Sequence, residues 1–236
     1  MMNFAEYRRT ATRLADFLPW VALVGQGIVL NKDGSFQRTA RFRGPDLDSA
    51  VPAELVAVAG RLNNAFRRLG SGWAIFVEAE RHASKHYPDS RFPDPASALV
   101  DAERKADFEG DAEAEPSPVD DRRTGNAHFE SSYFLTFVWL PPAEDAARAE
   151  SWLYEGRDQA GVDPHEALSG FADRTDRLLR LVEAFMPECH WLNDGETLTY
   201  LHACVSTHRH RVRVPETPMY LDALLADQPL TGGLEP

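Results

Sequence analysis

Pro164–Asn193 reads PHEALSGFADRTDRLLRLVEAFMPECHWLN, a long helix followed at once by a short strand. Leu168, Phe171, Ala172, Thr175, Leu178, Leu179, Val182 and Phe185 recur at helical spacing and predict one apolar face along residues 164–186. On the other side Asp173/Arg177 and Asp176/Arg180 stand four residues apart, a spacing that suits ion pairs worth a few tenths of a kcal/mol. Residues 188–193 then read as a strand. Upstream, Phe129–Leu140 is rich in aromatic and β-branched residues and stops at Pro141-Pro142, so it too reads as a strand. Strand, helix, strand is one half of a split βαβ arrangement. A further helix is expected between, at about 143–155.

The N-terminal half of the chain repeats the order. Val21–Leu30 and Ser35–Arg43 read as strands joined by Asn31-Lys32-Asp33-Gly34, where Asp-Gly offers the positive φ angles of a tight turn. A helix follows from about Pro52 to Leu69, with Leu55, Ala59, Leu62, Phe66 and Leu69 as its apolar stripe and Gly70 as its stop. Trp73–Glu80 is the next strand. The expected fold is therefore α+β: a ferredoxin-like split βαβ sheet with an extra N-terminal strand at 21–30 and helices on one face. The insertion at 82–128 holds a short helix at 96–108 and an acidic stretch. Glu109, Asp111, Glu113, Glu115, Asp120 and Asp121 with Pro116 and Pro118 predict a flexible acidic loop over 110–126. Helices at 195–206 and 218–226 complete the reading. The expected organisation is an N-terminal helix in 1–20, an α+β domain over 21–226, and a linker at 227–236.

Hydrophobic residues make up 43% of the 236, enough to bury a core. The formal charge of −12 repels phosphate backbones, so nucleic acid is a poor partner for the surface as a whole. Two cysteines, Cys189 and Cys204, exclude a disulfide framework and suit a reducing compartment. Met1-Met2-Asn3-Phe4-Ala5-Glu6 opens no apolar signal region, and the longest apolar runs fall well short of the roughly 20 residues of a spanning helix. A cytoplasmic location is the expectation.

Chemistry is sparse. No Gly-x-x-x-x-Gly-Lys-Ser/Thr loop occurs, and Gly70-Ser71-Gly72 leaves a helix for a strand, the wrong order for holding phosphate on a helix N-terminus. No Gly-x-Ser-x-Gly elbow occurs either. His202, Cys204, His208 and His210 fall within nine residues, and Cys204 and His208 would share a helical face as metal ligands. Against this stand the interleaved Arg209, Arg211 and Arg213 and the lack of paired ligand spacing; a polar helix end is the plainer reading. A stand-alone metal-dependent enzyme is the alternative reading those four ligands would carry. The same arginines form the one dense basic run, suited to an acidic partner or to a phosphate backbone, as in a nucleic-acid-binding adaptor, or simply to offsetting nearby acids. At the N-terminus Phe4, Tyr7, Ala11, Leu14 and Leu18 form a stripe beside Arg8, Arg9 and Arg13. That stripe suits either a partner or the domain's own sheet. No catalytic residue is assigned, no cofactor is expected in this chain, and no small-molecule substrate is implied.

Several strings carry more than patterning. Leu18-Pro19-Trp20, Val29-Leu30-Asn31-Lys32-Asp33-Gly34-Ser35-Phe36-Gln37-Arg38 and Arg41-Phe42-Arg43-Gly44-Pro45-Asp46-Leu47 are three of them. Others are Arg61-Leu62-Asn63-Asn64, Gly70-Ser71-Gly72-Trp73 and Phe76-Val77-Glu78-Ala79-Glu80-Arg81. Phe129-Glu130-Ser131, Trp139-Leu140-Pro141-Pro142, Tyr200-Leu201-His202, Met219-Tyr220-Leu221-Asp222 and Leu230-Thr231-Gly232-Gly233 continue in order. Together they resemble the opening region of the TrbE/CagE/VirB family of type IV secretion ATPases, its conjugal-transfer TrbE branch in particular. The resemblance implies a docking and assembly module at the cytoplasmic face of the bacterial inner membrane. Its implied partners are membrane components of the secretion channel and neighbouring ATPase subunits. It also implies a nucleotide domain, binding ATP and Mg, C-terminal to this region. None of that domain's catalytic residues maps onto this chain, and 110–126 stands as an insertion relative to the family.

Overall fold

Asn31-Lys32-Asp33-Gly34 turns the chain as its composition demands. In the computed structural model Gly34 takes φ +82°, its N–H donates to the Asn31 carbonyl (3.0 Å), and the Asn31 N–H donates to the Ser35 carbonyl (2.8 Å). Asp33 Oδ1 accepts from both the Ser35 N–H (2.9 Å) and its hydroxyl (2.6 Å). Glycine alone adopts the left-handed conformation, which is the three-residue hairpin form rather than a turn with two positive φ angles. The structure describes residues 13–45, 50–84, 87–113, 129–141 and 164–230.

In chain order the elements are α1 (Leu14–Phe17), β1 (Trp20–Gly25), β2 (Ile28–Asn31), β3 (Phe36–Arg43), α2 (Pro52–Phe66) and β4 (Trp73–Ala83). They continue as α3 (Pro95–Glu113), β5 (Phe129–Trp139), α4 (Pro164–Glu183), β6 (Glu188–Trp191), α5 (Asp194–Ala203) and α6 (Leu221–Ala226). The chain divides into two units, residues 79–133 and the remainder. Strands β4 and β5 contribute to both.

The larger unit carries the antiparallel sheet, in the order β1-β2-β3-β5-β4. The first half of β3 pairs with β2 (Ile28 opposite Arg38, Leu30 opposite Phe36), and its second half pairs with β6 (Ala40 opposite Trp191, Arg43 opposite Glu188). Strand β5 thus lies between β3 and β4, and β3 lies between β5 and β6. These are the two interlocked halves of the ferredoxin-like arrangement expected from the sequence. The extra N-terminal strand is two strands, because Gly25-Gln26-Gly27 breaks 21–30 into a hairpin. Gly27 sits at φ +64°, where a Cβ would run into the Leu192 carbonyl, and its N–H donates to Asp194 Oδ1 (2.7 Å).

Across the central strands both faces of the sheet carry a core, successive side chains pointing to opposite sides. Phe36, Leu135, Phe137 and Trp139 point to the side packed by Ala65 of α2 and by Phe171, Leu178 and Val182 of α4. The helices of the split units therefore share one face, as expected. Val29 and Phe134 point to the opposite side, where Leu198 and Leu201 of α5 and Leu221 and Leu225 of α6 form a second core. Buried Arg38 bonds Thr175 Oγ1 (3.2 Å) and Asp176 Oδ1 (2.7 Å) and lies 4.3 Å from the Trp191 ring, fastening β3 to α4 and β6. Asp176 also accepts from Trp191 Nε1 (2.9 Å). The expected Asp176/Arg180 pair does not form, because that carboxylate is turned inward. Asp173 and Arg177 are likewise not within ion-pair distance of one another.

In the smaller unit Tyr87 donates to Asp101 Oδ1 of α3 (2.8 Å) and its ring packs edge-on against Phe108. Asp94 caps the helix through the Ser97 N–H (2.8 Å). Helix α3 extends to Glu113, so 109–113 is helical where a loop is expected. The rest of the acidic stretch and the helix expected at 143–155 lie outside the described residues, as do Phe4, Tyr7 and Arg8 of the N-terminal helix. Its remaining candidate, Leu14, packs partly buried against the second core.

Candidate functional site

The C-terminal quarter gathers most of the residues singled out from the sequence. Helix α5 starts on a capping box: Asn193 Oδ1 accepts from the Glu196 N–H (3.0 Å), and Glu196 Oε2 accepts from the Asn193 N–H (2.9 Å). It ends at Ala203, shorter than the expected 195–206, so 204–213 runs back over the core as irregular chain. His202 is 1% exposed, with Nε2 unpartnered among the described residues and the other ring nitrogen bonded to the Pro229 backbone. The His202 and His210 ring centroids are 4.6 Å apart, those of His208 and His210 5.4 Å, and His210 Nε2 meets Gln228 Oε1 at 3.0 Å. Burial, then the neighbouring His210, hold the His202 pKa below its usual value.

Cys204 does not join the histidines. The residue is exposed, its Sγ faces Glu78 Oε2 at 3.9 Å, and desolvation of the sulfur together with that carboxylate pushes the thiol up to about 12. Burial raises Cys189 to about 11. Both shifts disfavour the thiolate. Among the described residues no group of three or more His, Cys, Asp or Glu side chains is arranged to hold a metal ion. The four-residue metal candidate therefore separates into a histidine cluster and a cysteine held elsewhere. Glu78 is the half-buried end of a polar chain that runs inward: Tyr200 donates to it (2.8 Å), Tyr200 lies 3.3 Å from Thr136 Oγ1, and Thr136 Oγ1 lies 2.9 Å from Thr39 Oγ1.

The basic run alternates. Val212 is buried and its N–H donates to Thr199 Oγ1 (3.1 Å), His210 turns toward Gln228, and Arg209, Arg211 and Arg213 remain exposed. Two apolar surfaces lie elsewhere on the larger unit. Val51 and Val56 stand exposed at the start of α2. On β4, the last strand of the sheet order, Phe76 is 57% and Val77 67% exposed. The sequence places both in a strand but does not show that the strand is an edge. Among the described residues no helix is long and apolar enough to cross a membrane.

Fold and surface define the class: a split βαβ α+β module whose outer features are an apolar strand edge and short basic runs, and whose polar clusters are internal. Residues 27–148 match the family described as type IV secretion system ATPase VirB4/TrbE, N-terminal domain. The chain belongs to this family. It is 30% identical over 257 aligned residues to the conjugal transfer protein TrbE of Rhizobium radiobacter, covering all of this chain and 29% of that protein. It is 34% identical over 162 residues to the first portion of a probable conjugal transfer protein TrbE of Sinorhizobium fredii strain NBRC 101917 / NGR234, covering 67% of this chain and 99% of that portion. The type IV secretion system protein virB4 of Brucella suis biovar 1 strain 1330 is 28% identical over 109 residues, 46% of this chain and 13% of that protein. The chain spans under a third of the length of the Rhizobium radiobacter relative.

Proposed function

We propose that this chain is a non-catalytic docking and assembly domain of a conjugal-transfer ATPase, working at the cytoplasmic face of the bacterial inner membrane. The observation that carries the reading is the apolar edge of β4, where Phe76 and Val77 face outward from a well-packed domain. The unpaired backbone groups of an edge strand are a template for a partner strand, and exposed apolar side chains on such a strand otherwise invite aggregation. Arg209, Arg211 and Arg213 add a cationic strip that suits an acidic channel component or an anionic headgroup layer. The sequence holds no phosphate-binding loop, which supports assigning ATP and Mg to a separate nucleotide domain. Inner-membrane channel components and neighbouring ATPase subunits are the proposed partners.

The test is co-purification of the tagged chain with inner-membrane channel proteins from detergent extracts of conjugating cells, alongside an ATP hydrolysis assay. Wild type is expected to bring them down without hydrolysing ATP. Phe76→Glu with Val77→Glu is expected to lose most of the recovery while keeping the circular dichroism of the wild type. Recovery unaffected by that pair, or ATP turnover by the purified chain, would overturn the reading.

A further inference from the structure

Helices α2 and α4 pack side by side over one face of the sheet, and the groove between them has a chemistry of its own. At one end Arg68, Arg174 and Arg177 rim a cavity of about 320 Å³ whose floor includes Trp73, Leu178 and Leu181. At the other, Arg61 and Asn64 rim a second cavity of about 360 Å³ over Phe185, with Leu181 common to both. Four arginines line the pair and no carboxylate does, on a chain whose net charge is −12. Among the described residues none of the four has a carboxylate within ion-pair distance. Of the acids on the same helix, Asp176 is committed to Arg38 and Trp191, and Asp173 is not within ion-pair distance of Arg177.

The site is held in shape from beneath. Trp73 stacks on Trp139 (centroids 6.0 Å) and on Phe171 (5.6 Å), and the Arg174 guanidinium rests 5.1 Å from the Trp139 ring. Arginine forks match carboxylates in two-point geometry, and a preset guanidinium loses less freedom on binding. From Arg174 to Phe185 the lining extends about 16 Å at roughly 1.5 Å per residue, room for about five residues of extended peptide.

We propose that this groove binds an acidic peptide segment of a partner protein, with its carboxylates on Arg61, Arg68, Arg174 and Arg177 and an apolar side chain between them over Trp73 and Leu181. A small anion would use the rim and leave the apolar floor empty. A long polyanion would meet the field of the acidic surface beyond the groove. A short segment alternating acids with one or two apolar residues satisfies both. The proposal rests on the docking reading for the occupant being a protein segment, while the groove is distinct from the β4 edge, so either can fail alone.

The test is fluorescence anisotropy on the full chain, with a fluorescein-labelled hexapeptide of glutamates flanking a leucine-phenylalanine pair. Binding is expected, weakening steeply with added sodium chloride. It should fall at least tenfold in Arg68→Glu and in Arg177→Glu, exposed positions whose replacement leaves the thermal midpoint near that of wild type. A peptide with serines for the leucine-phenylalanine pair is expected to bind several-fold more weakly. The proposal is overturned if the wild-type chain does not bind, or if both variants bind as well as wild type. Equal binding of the serine peptide, or full displacement by equimolar inorganic pyrophosphate, would also overturn it and indicate a simple anion site. Folding of the variants is checked by circular dichroism; if either fails to fold, Arg68→Gln and Arg177→Gln carry the same expectation at about threefold.

Discussion

His202 is a buried base with one ring nitrogen committed to the Pro229 backbone and the other facing no partner among the described residues. Protonation there would bury a charge beside His210 and near His208, and the Pro229 backbone already holds one of the two ring nitrogens. The unfolded chain takes that proton near the ordinary value of 6.5, and the folded chain resists it until lower pH. The stability contribution is therefore complete above about pH 6.5 and is lost as pH falls from 6.5 to the lowered folded value. Urea midpoints measured at pH 7.5, 6.5 and 5.5 should fall with acidification, and His202→Gln should flatten that slope while lowering stability at every pH. An unchanged slope in the variant would remove His202 as the titrating group. The gathering of His202, His208 and His210 was visible as spacing in the sequence. Grouping Cys204 with them assumed a helix continuing to 206, whereas α5 stops at Ala203 and the thiol is left facing β4.

Helix α5 depends on its first turn. Asn193 and Glu196 satisfy each other's backbone N–H groups, and Asp194 reaches across to the Gly27 N–H of the β1–β2 turn. The helix thus begins where the hairpin ends, and its cap also fixes how His202 and Tyr200 enter the core. Replacing Asn193 by Ala should cost about 1 kcal/mol, the usual worth of an N-cap, read as a lower denaturant midpoint with an unchanged slope. A change in slope would mean instead that the hairpin and helix separate as a unit. Elements with one strong periodicity were legible in advance: the 164–186 stripe became α4, and Phe129–Leu140 became β5. The 21–30 run misled because it is apolar on both sides of its turn, so no change of period marks the break. Gly25 and Gly27 were the available signal. At α3 the reverse held: acidic residues read as loop continue the helix through Glu113, since Glu and Ala are good helix formers.

At the scale of the molecule two features oppose each other. The chain carries a net charge of −12, which favours any expanded state that moves like charges apart. The cores resist, and their polar links (Arg38 with Asp176 and Trp191, Tyr200 with Glu78 and Thr136) each have one buried partner, so salt reaches them less than it reaches fully exposed pairs. Composition gave the charge but not its distribution. The arginines of the groove are scattered through 117 residues of sequence from Arg61 to Arg177, and only the packing of α2 beside α4 brings them together. Their placement also accounts for the missing helix pairs expected on α4, since Asp176 is turned to Arg38 and Trp191 and Arg177 is left at the rim. Screening should therefore act in two directions. Raising sodium chloride from 50 to 500 mM shortens the Debye length from above 10 Å to about 4 Å, which relieves the net repulsion and leaves the polar links of the cores largely intact. The thermal midpoint is expected to rise by a few degrees over that range, while affinity for the acidic peptide falls. A midpoint that drops with salt would mean that exposed pairs such as Lys32–Asp222 (3.0 Å) and Arg43–Glu188 (3.8 Å) outweigh the repulsion, contrary to the small worth of surface ion pairs.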